Sequence, residues 1–136
     1  MQALVKQKGL ESKIICDSAG TIDYHRGKPA DARMQKHARL RGYELSSISR
    51  PFENEDFELF DLIITMDDDN YLQIKWFDQS KSYTDKIRRM TDFCSTSQIS
   101  EVPDPYYGGN QGFENVLDIL EDACQGLLEF VMNKKQ

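Results

Sequence analysis

Apolar residues recur at steps of three and four positions near the end of the chain, from about residue 111 to residue 133. This spacing places them on one side of a helix, so it predicts a long amphipathic helix that buries that side. The apolar side consists of Phe113, Val116, Leu117, Leu120, Cys124, Leu127, Leu128 and Val131.

A mainly apolar run rich in β-branched residues occupies positions 60–66, with Asp61 and Thr65 as its polar members. It predicts a strand that is buried on both faces, as in a parallel sheet. Three aspartates and an asparagine follow at 67–70, and such side chains favour the first turn of a helix. We therefore expect a helix from this point to about Phe77, and a weaker strand around 86–90.

Shorter elements are predicted in the first third of the chain. A helix over residues 1–8 would end at Gly9, a short strand would cover 13–17, and a helix over 30–41 would end at Gly42. Alternating strands and helices indicate an α/β fold with a parallel sheet, whose ligand site lies beyond the carboxyl ends of the strands. With no repeat and no linker, residues 1–136 are expected to form a single domain.

The composition excludes several classes of protein. Hydrophobic residues make up 39% of the chain and charged residues 29%, as in ordinary globular domains. No apolar stretch approaches the roughly 20 residues that a bilayer requires, and the N-terminus does not resemble a signal peptide. Because 23 acidic residues outnumber 17 Lys and Arg and no basic stripe occurs, neither a nucleic acid nor a membrane is expected as a partner.

The cysteines do not form a metal-binding or redox motif. Cys16, Cys94 and Cys124 are widely spaced, and with His25 and His37 alone there is no plausible zinc set. We expect reduced thiols and a cytoplasmic location. Cys16 and Cys124 are interpreted as core packing residues, and both histidines as surface residues rather than catalysts.

The most specific stretch of the sequence surrounds Asp104, which stands between Pro103 and Pro105 and precedes Tyr106 and Tyr107. The prolines fix the backbone on both sides, and the two glycines that follow release it. Such a loop could hold a carboxyl group beside an aromatic wall. The same residues are also typical of a turn that caps the final helix.

At this loop the chain begins to resemble the low-molecular-weight protein-tyrosine phosphatases. Asp104-Pro105-Tyr106-Tyr107-Gly108 is similar to the general-acid loop of that family, and the resemblance extends in order over essentially the whole chain. The other matching stretches are Asp17-Ser18-Ala19-Gly20-Thr21, Glu55-Asp56-Phe57 with Phe60-Asp61, Met66-Asp67 and the closing amphipathic helix. The resemblance implies a three-layer α/β sandwich with a small parallel sheet flanked by helices. It also implies phosphotyrosine hydrolysis through a cysteinyl-phosphate intermediate, without a cofactor.

One part of the family pattern is missing from this sequence. The family's nucleophile belongs to a C-x5-R phosphate loop between its first strand and first helix. Here the residues six places after the three cysteines are Ile22, Ser100 and Phe130, so no arginine closes such a loop. Met1 aligns inside the family's first helix. We therefore expect the loop and the central first strand to lie upstream, and the chain as given to be N-terminally truncated and inactive.

The resemblance implies roles for five residues. Asp104 is the general acid, because a tyrosyl leaving group with a pKa near 10 departs more easily when it receives a proton. The same residue would then activate water. Tyr24, Tyr106 and Tyr107 resemble the walls of the aromatic substrate slot, and Ser18 resembles a residue that hydrogen-bonds to the phosphate loop; the alternative for Ser18 is a strand-end turn.

The neighbouring polar residues receive structural interpretations. Arg33 and Arg50 match family arginines that pair with acidic residues, and Asp67 is explained by helix capping. Ser47 stands where many family members carry a histidine, and Pro51 replaces a frequent glutamine.

Three functions stay open at this point. The leading one is a phosphatase acting on phosphotyrosine proteins or small aryl phosphates, with a tyrosine kinase as a further candidate partner. The second is a non-catalytic remnant that binds partners through Tyr106 and Tyr107. The third, an arsenate reductase on a similar scaffold, is disfavoured because it needs a close pair of thiols and Cys94 and Cys124 are far apart in sequence.

Overall fold

A computed structural model describes residues 1–21, 27–96 and 99–134 of the chain. The helices in these ranges are α1 (Gln2–Gln7), α2 (Ala32–Leu40), α3 (Asp56–Leu59), α4 (Asp68–Phe77) and α5 (Gly109–Lys134), and the strands are β1 (Ile63–Thr65) and β2 (Ile87–Arg89). Short 3₁₀ turns occupy Thr84–Lys86, Met90–Phe93 and Pro105–Gly108. None of the helices in the described ranges is long and apolar enough to cross a membrane.

The two strands pair in parallel, with Ile63 opposite Ile87, and α4 connects them as a β-α-β unit. Alternate residues of β1 face opposite sides of the sheet. Ile63 packs into a cluster that contains Phe57 of α3 and Ile74 of α4, whereas Ile64 packs into the cluster beneath α5. The sheet is therefore covered on both faces, which gives a three-layer arrangement.

Helix α5 confirms the amphipathic pattern at the end of the sequence. Its buried residues are Phe113, Val116, Leu117, Ala123, Leu127 and Leu128, and the half-buried Leu120, Cys124 and Val131 pack beside them. Gly126 brings the turn at Met90–Phe93 against the helix backbone, since a Cβ there would lie 2.0 Å from the Phe93 carbonyl oxygen.

The predicted helix ends are also confirmed. Gly9 and Gly42 follow α1 and α2 with φ of +69° and +87°, the left-handed conformation that glycine adopts most easily. Asp67 caps α4 by accepting from the Asn70 N–H at 2.8 Å, and the Asn70 side chain accepts from the Asp67 N–H in return. Capping accounts for Asp67.

The strand expected over residues 13–17 is wrong. The N–H groups of Lys13 and Ile14 donate to the Leu10 carbonyl in a local turn, and Ile15 is 84% exposed. A β-rich stretch becomes a strand only when a neighbouring strand satisfies its backbone groups. In the described part of the chain, the nearest such contact is a single parallel bridge between Gly20 and Pro51. The sequence pattern also missed α3, which at one turn is too short to show a helical period.

Candidate active site

Asp104 lies beyond the carboxyl end of β1, where the parallel sheet predicts a ligand site. The N–H of the buried Val102 donates to the Met66 carbonyl at 2.7 Å, one residue past the strand. The Pro105–Gly108 turn then leads directly into α5. Asp104 itself is exposed. The loop is therefore the turn that begins the final helix, and it lies at the carboxyl edge of the sheet. The interpretation of the loop as a carboxyl group beside an aromatic wall stays a prediction.

Side chains at the same edge attach the segment that precedes this loop. The Thr91 hydroxyl donates to the Ser100 carbonyl at 3.1 Å, and the Glu101 carboxylate accepts from the Asp68 N–H at 2.9 Å. Arg89 pairs with Asp68. None of these residues was assigned from the sequence, although Asp68 and Thr91 come just after the two predicted strands, which was a usable signal. Together they connect the chain before Asp104 to the start of α4 and the end of β2.

Arg50 fixes the backbone next to Ser18. Its guanidinium binds both oxygens of the buried Asp56, at 2.9 and 3.2 Å, and reaches Asp17 at 3.1 Å. Burial alone would raise the pKa of Asp56, but the hydrogen bonds from Arg50 and the Glu53 N–H outweigh it and lower that pKa. The same pairing raises the pKa of Arg50. Arg50 is thus a structural partner of acidic residues, as expected.

Ser18 lines a small open pocket of about 220 Å³, together with Lys28, Ser47 and Ser49. The fold thus brings Ser18 and Ser47 to one surface, although they are 29 positions apart in sequence. Ser18 is exposed, and its N–H donates to the Asp17 carboxylate at 2.8 Å. The proposed contact of Ser18 with a phosphate loop stays a prediction.

The expectation that His37 is a surface residue is wrong. Its side chain is only 13% exposed, its Nδ1 lies 2.5 Å from the Glu114 carboxylate, and its ring stacks on Phe113. Arg41, four residues further along and directly after the end of α2, binds the same carboxylate at 2.8 Å. The hydrogen bond from Arg41, and then that from His37, lower the pKa of Glu114. The signal in the sequence was a pair of basic residues four apart on α2 and a row of acidic residues, Glu114, Asp118 and Glu121, on α5.

The structure describes only some of the other residues to which the sequence assigned a role. Tyr24, His25 and the side chains of Tyr106 and Tyr107 lie outside the described residues. Arg33 binds Asp31 at 3.4 Å and lies over the ring of Phe113, which agrees with a structural role.

The three thiols are free. Burial raises the pKa of Cys16 and of Cys94, the opposite of what a thiolate nucleophile requires, and Cys124 packs against the core under α5. Over residues 1–21, 27–96 and 99–134, no group of His, Cys, Asp or Glu side chains could hold a metal ion.

Known proteins resemble this chain over its full length. The family model for low molecular weight phosphotyrosine protein phosphatase matches residues 1–136. A putative low molecular weight protein-tyrosine-phosphatase of Synechocystis is 48% identical over 128 residues, which cover 94% of this chain and 82% of the relative. The Bacillus subtilis protein-tyrosine-phosphatase YfkJ is 36% identical over 134 residues, which cover 98% of this chain and 84% of the relative.

Solved structures give the same result. The crystal structure of a protein tyrosine phosphatase from Entamoeba histolytica, with Hepes in its active site, superposes with a TM-score of 0.93 at 47% identity and covers 99% of this chain and 86% of that one. The crystal structure of Bacillus subtilis YfkJ superposes with a TM-score of 0.91 at 35% identity, covering 99% and 84%. These likenesses confirm the three-layer α/β fold.

Proposed function

Because the chain belongs to the low molecular weight phosphotyrosine protein phosphatase family, we propose that it hydrolyses phosphotyrosine monoesters with Asp104 as the general acid. The observation that carries the proposal is the exposed position of Asp104 at the carboxyl edge of the sheet, on a loop held by the Val102–Met66 hydrogen bond.

The role of Asp104 follows from the two steps of the family's reaction. A cysteine thiolate attacks phosphorus, and the tyrosyl oxygen departs with the proton of the Asp104 carboxyl group. The resulting carboxylate then takes a proton from the water that attacks the cysteinyl phosphate, which releases inorganic phosphate and restores the thiolate. One residue thus serves as acid and then as base.

We propose further that the nucleophile comes from a C-x5-R loop that residues 1–136 do not contain. No cysteine of this sequence has an arginine six places later. Phosphoryl transfer needs backbone N–H groups and a guanidinium around the three equatorial oxygens, together with a thiolate of lowered pKa. Residues 1–136 alone would therefore be inactive. Phosphotyrosine proteins and small aryl phosphates are the proposed substrates.

The missing C-x5-R pattern also favours a second candidate function, a phosphatase-like protein that binds partners through the loop of Tyr106 and Tyr107 without catalysis. Restoring the missing part distinguishes the two. A strand followed by a C-x5-R loop, taken from a family member, is fused upstream of Met1, and release of phosphate from phosphotyrosine is measured. The matched control carries serine in place of the loop cysteine.

We expect the fused chain to release phosphate and the serine control to be inactive. A fused chain that is folded, as judged by its far-ultraviolet circular dichroism, but does not hydrolyse phosphotyrosine would contradict the phosphatase proposal. If the unfused chain then bound an immobilised phosphotyrosine-protein partner, the non-catalytic function would replace it. The cytoplasmic location and the tyrosine kinase partner stay predictions.

A further inference from the structure

Gly112 lies one turn inside α5 and its backbone is not left-handed, so no turn geometry requires glycine there. A glycine within a helix weakens it relative to alanine. The reason for its presence lies in a contact. A Cβ on Gly112 would stand 2.9 Å from the Pro105 carbonyl oxygen and 3.5 Å from the Pro105 Cα. The backbone of residues 104–108, called the acid loop below, thus occupies the space that a side chain would fill.

The helix cannot easily move away from that contact. Phe113, the next residue, is 2% exposed and is stacked on His37. Glu114 is bound both by His37 of α2 and by Arg41, which follows that helix. These two residues hold the first turns of α5 in place, so a methyl group at position 112 would displace Pro105 rather than the helix. Since ordinary carbon–oxygen contacts are 3.3 Å or more, the displacement would be about half an ångström.

Asp104 lies between this contact and a second fixed point. Val102, two residues before it, is bound to Met66 at the end of β1, and Pro105, immediately after it, is seated on Gly112. We propose that Gly112 is a positioning residue for Asp104. Because Gly112 has no side chain, the acid loop can pack directly against α5, and this contact determines the position of the Asp104 carboxyl group. This inference depends on the proposed role of Asp104 as general acid.

The chain supplies a matched control. Gly126 lies in the same helix, 14 positions after Gly112 and therefore further from the loop of Asp104. A Cβ on Gly126 would stand 2.0 Å from the Phe93 carbonyl oxygen, an even closer approach. Gly126→Ala therefore tests whether any effect of Gly112→Ala comes from a general loss of stability caused by a clash against α5 rather than from a displaced loop.

The first measurement uses the 136-residue chain itself, labelled with ¹³C-aspartate. In Gly112→Ala we expect the carboxyl ¹³C signal of Asp104 and its change with pH to differ from those of the unsubstituted chain. In Gly126→Ala we expect the Asp104 signal to stay the same while the melting temperature falls. An unchanged Asp104 signal in Gly112→Ala would overturn the inference, and so would a random-coil signal in the unsubstituted chain.

The second measurement uses the chain fused to a strand and C-x5-R loop. Gly112→Ala should lower kcat for phosphotyrosine about 3- to 10-fold, with KM unchanged. The loss should be smaller for an aryl phosphate whose leaving group has a low pKa, and Gly126→Ala should leave the ratio of the two rates unchanged. Equal losses on both substrates would count against positioning. If no variant were active but only Gly112→Ala moved the Asp104 signal, the proposed function would fail and the positioning would stand.

Discussion

Because the side chain of aspartate is short, the position of its backbone determines whether its carboxyl group can reach and protonate a leaving group. Asp104 is flanked by Pro103 and Pro105, which restrict φ on both sides of it. The Val102 N–H is bound to the Met66 carbonyl at 2.7 Å. The local sequence makes the loop stiff, and the hydrogen bond to the end of β1 gives it a place in the fold.

We predict that Asp104→Asn, in a chain with the C-x5-R loop restored, lowers turnover of phosphotyrosine by about 10²–10⁴-fold. Asparagine has nearly the same shape but has no proton to give. The loss should be much smaller for an aryl phosphate with a low-pKa leaving group, which departs without a proton. Equal losses on the two substrates, together with a lower melting temperature, would show that Asp104 only shapes the turn.

Asp122 provides a pH-dependent contact between α5 and the segment after Phe93. Its carboxylate accepts from the N–H of Thr96 at 3.0 Å, and from the hydroxyl and N–H of Ser95. These hydrogen bonds, the Thr96 N–H foremost, hold the pKa of Asp122 well below its usual range. The unfolded chain, with an ordinary aspartate pKa near 3.9, therefore takes up a proton before the folded chain does.

It follows that Asp122 contributes stability above about pH 4 and loses that contribution as the pH falls further. We predict that Asp122→Asn is less stable than the unsubstituted chain at pH 6 and that the difference shrinks toward pH 3. Urea unfolding at several pH values measures this. Glu129→Gln, at an exposed position on the same helix, is the control and should show little change. A constant difference between the Asp122→Asn chain and the unsubstituted chain across this range would rule out the pH-dependent contribution.

Helix α5 organises the layer on its side of the sheet through close backbone approaches as well as through its apolar side. The backbone of Pro105 packs against Gly112, and the Phe93 carbonyl oxygen packs against Gly126. The ion pairs of Glu114 with His37 and Arg41 attach α2 to the same helix. One element thereby positions the acid loop, the turn after β2 and the second helix.

For Gly126→Ala, two effects oppose each other. Alanine favours a helix by about 1 kcal/mol over glycine, but its Cβ would stand 2.0 Å from the Phe93 carbonyl oxygen. Such overpacking costs about 1–3 kcal/mol or more, so we predict net destabilisation, measured as a lower urea midpoint. Gln125→Ala, at the exposed neighbouring position, should stay within about 0.5 kcal/mol of the original. Equal or greater stability of Gly126→Ala would mean that the turn moves away without cost.

The part of the chain that the structure describes has a small sheet with open edges. Within residues 1–21, 27–96 and 99–134, β1 pairs only with β2, and the apolar segment containing Ile14 and Ile15 has no strand beside it. Unpaired backbone groups and exposed apolar side chains weaken a fold whose net stability is only a small difference between large terms.

We therefore predict that residues 1–136, purified as a monomer, are poorly stable. Thermal unfolding followed by circular dichroism should be broad or centred at low temperature, and fusion of the first strand of a family member upstream of Met1 should raise and sharpen the transition. A cooperative transition with native-like sheet content in the unfused chain would contradict this expectation.

The same chain, unfused, should hydrolyse an aryl phosphate no faster than the uncatalysed reaction. A general acid by itself supplies only about 10²–10⁴-fold, and no cysteine of the sequence stands in a C-x5-R pattern. The measurement is release of nitrophenol from its phosphate ester. A burst of product with a trapped phosphocysteine would assign the nucleophile to Cys16, Cys94 or Cys124.

Local sequence patterns were sufficient to predict the structure wherever the environment of a residue depends on its near neighbours in sequence. The period of the apolar residues in α5, the capping of α4 by Asp67, and Gly9 and Gly42 as helix ends were all predicted correctly. The turn at Pro105–Gly108 that begins α5 was also predicted, because prolines and glycines restrict or release the backbone at their own positions.

The sequence by itself thus predicted α1, α2, α4 and α5, the two paired strands, the family and the residue proposed as the acid, but it missed α3. Only the tertiary structure decided that residues 13–17 are not a strand, which residues are buried and what packs against the loop of Asp104. Residues 13–17 have a strand-like composition but form no strand, since pairing requires a neighbour that a local pattern does not contain. His37 is half-buried because Glu114 and Phe113, more than 70 positions away, fold against it. Gly112 has an unremarkable helical position in the sequence, and its importance follows only from the carbonyl oxygen of Pro105 that packs on it.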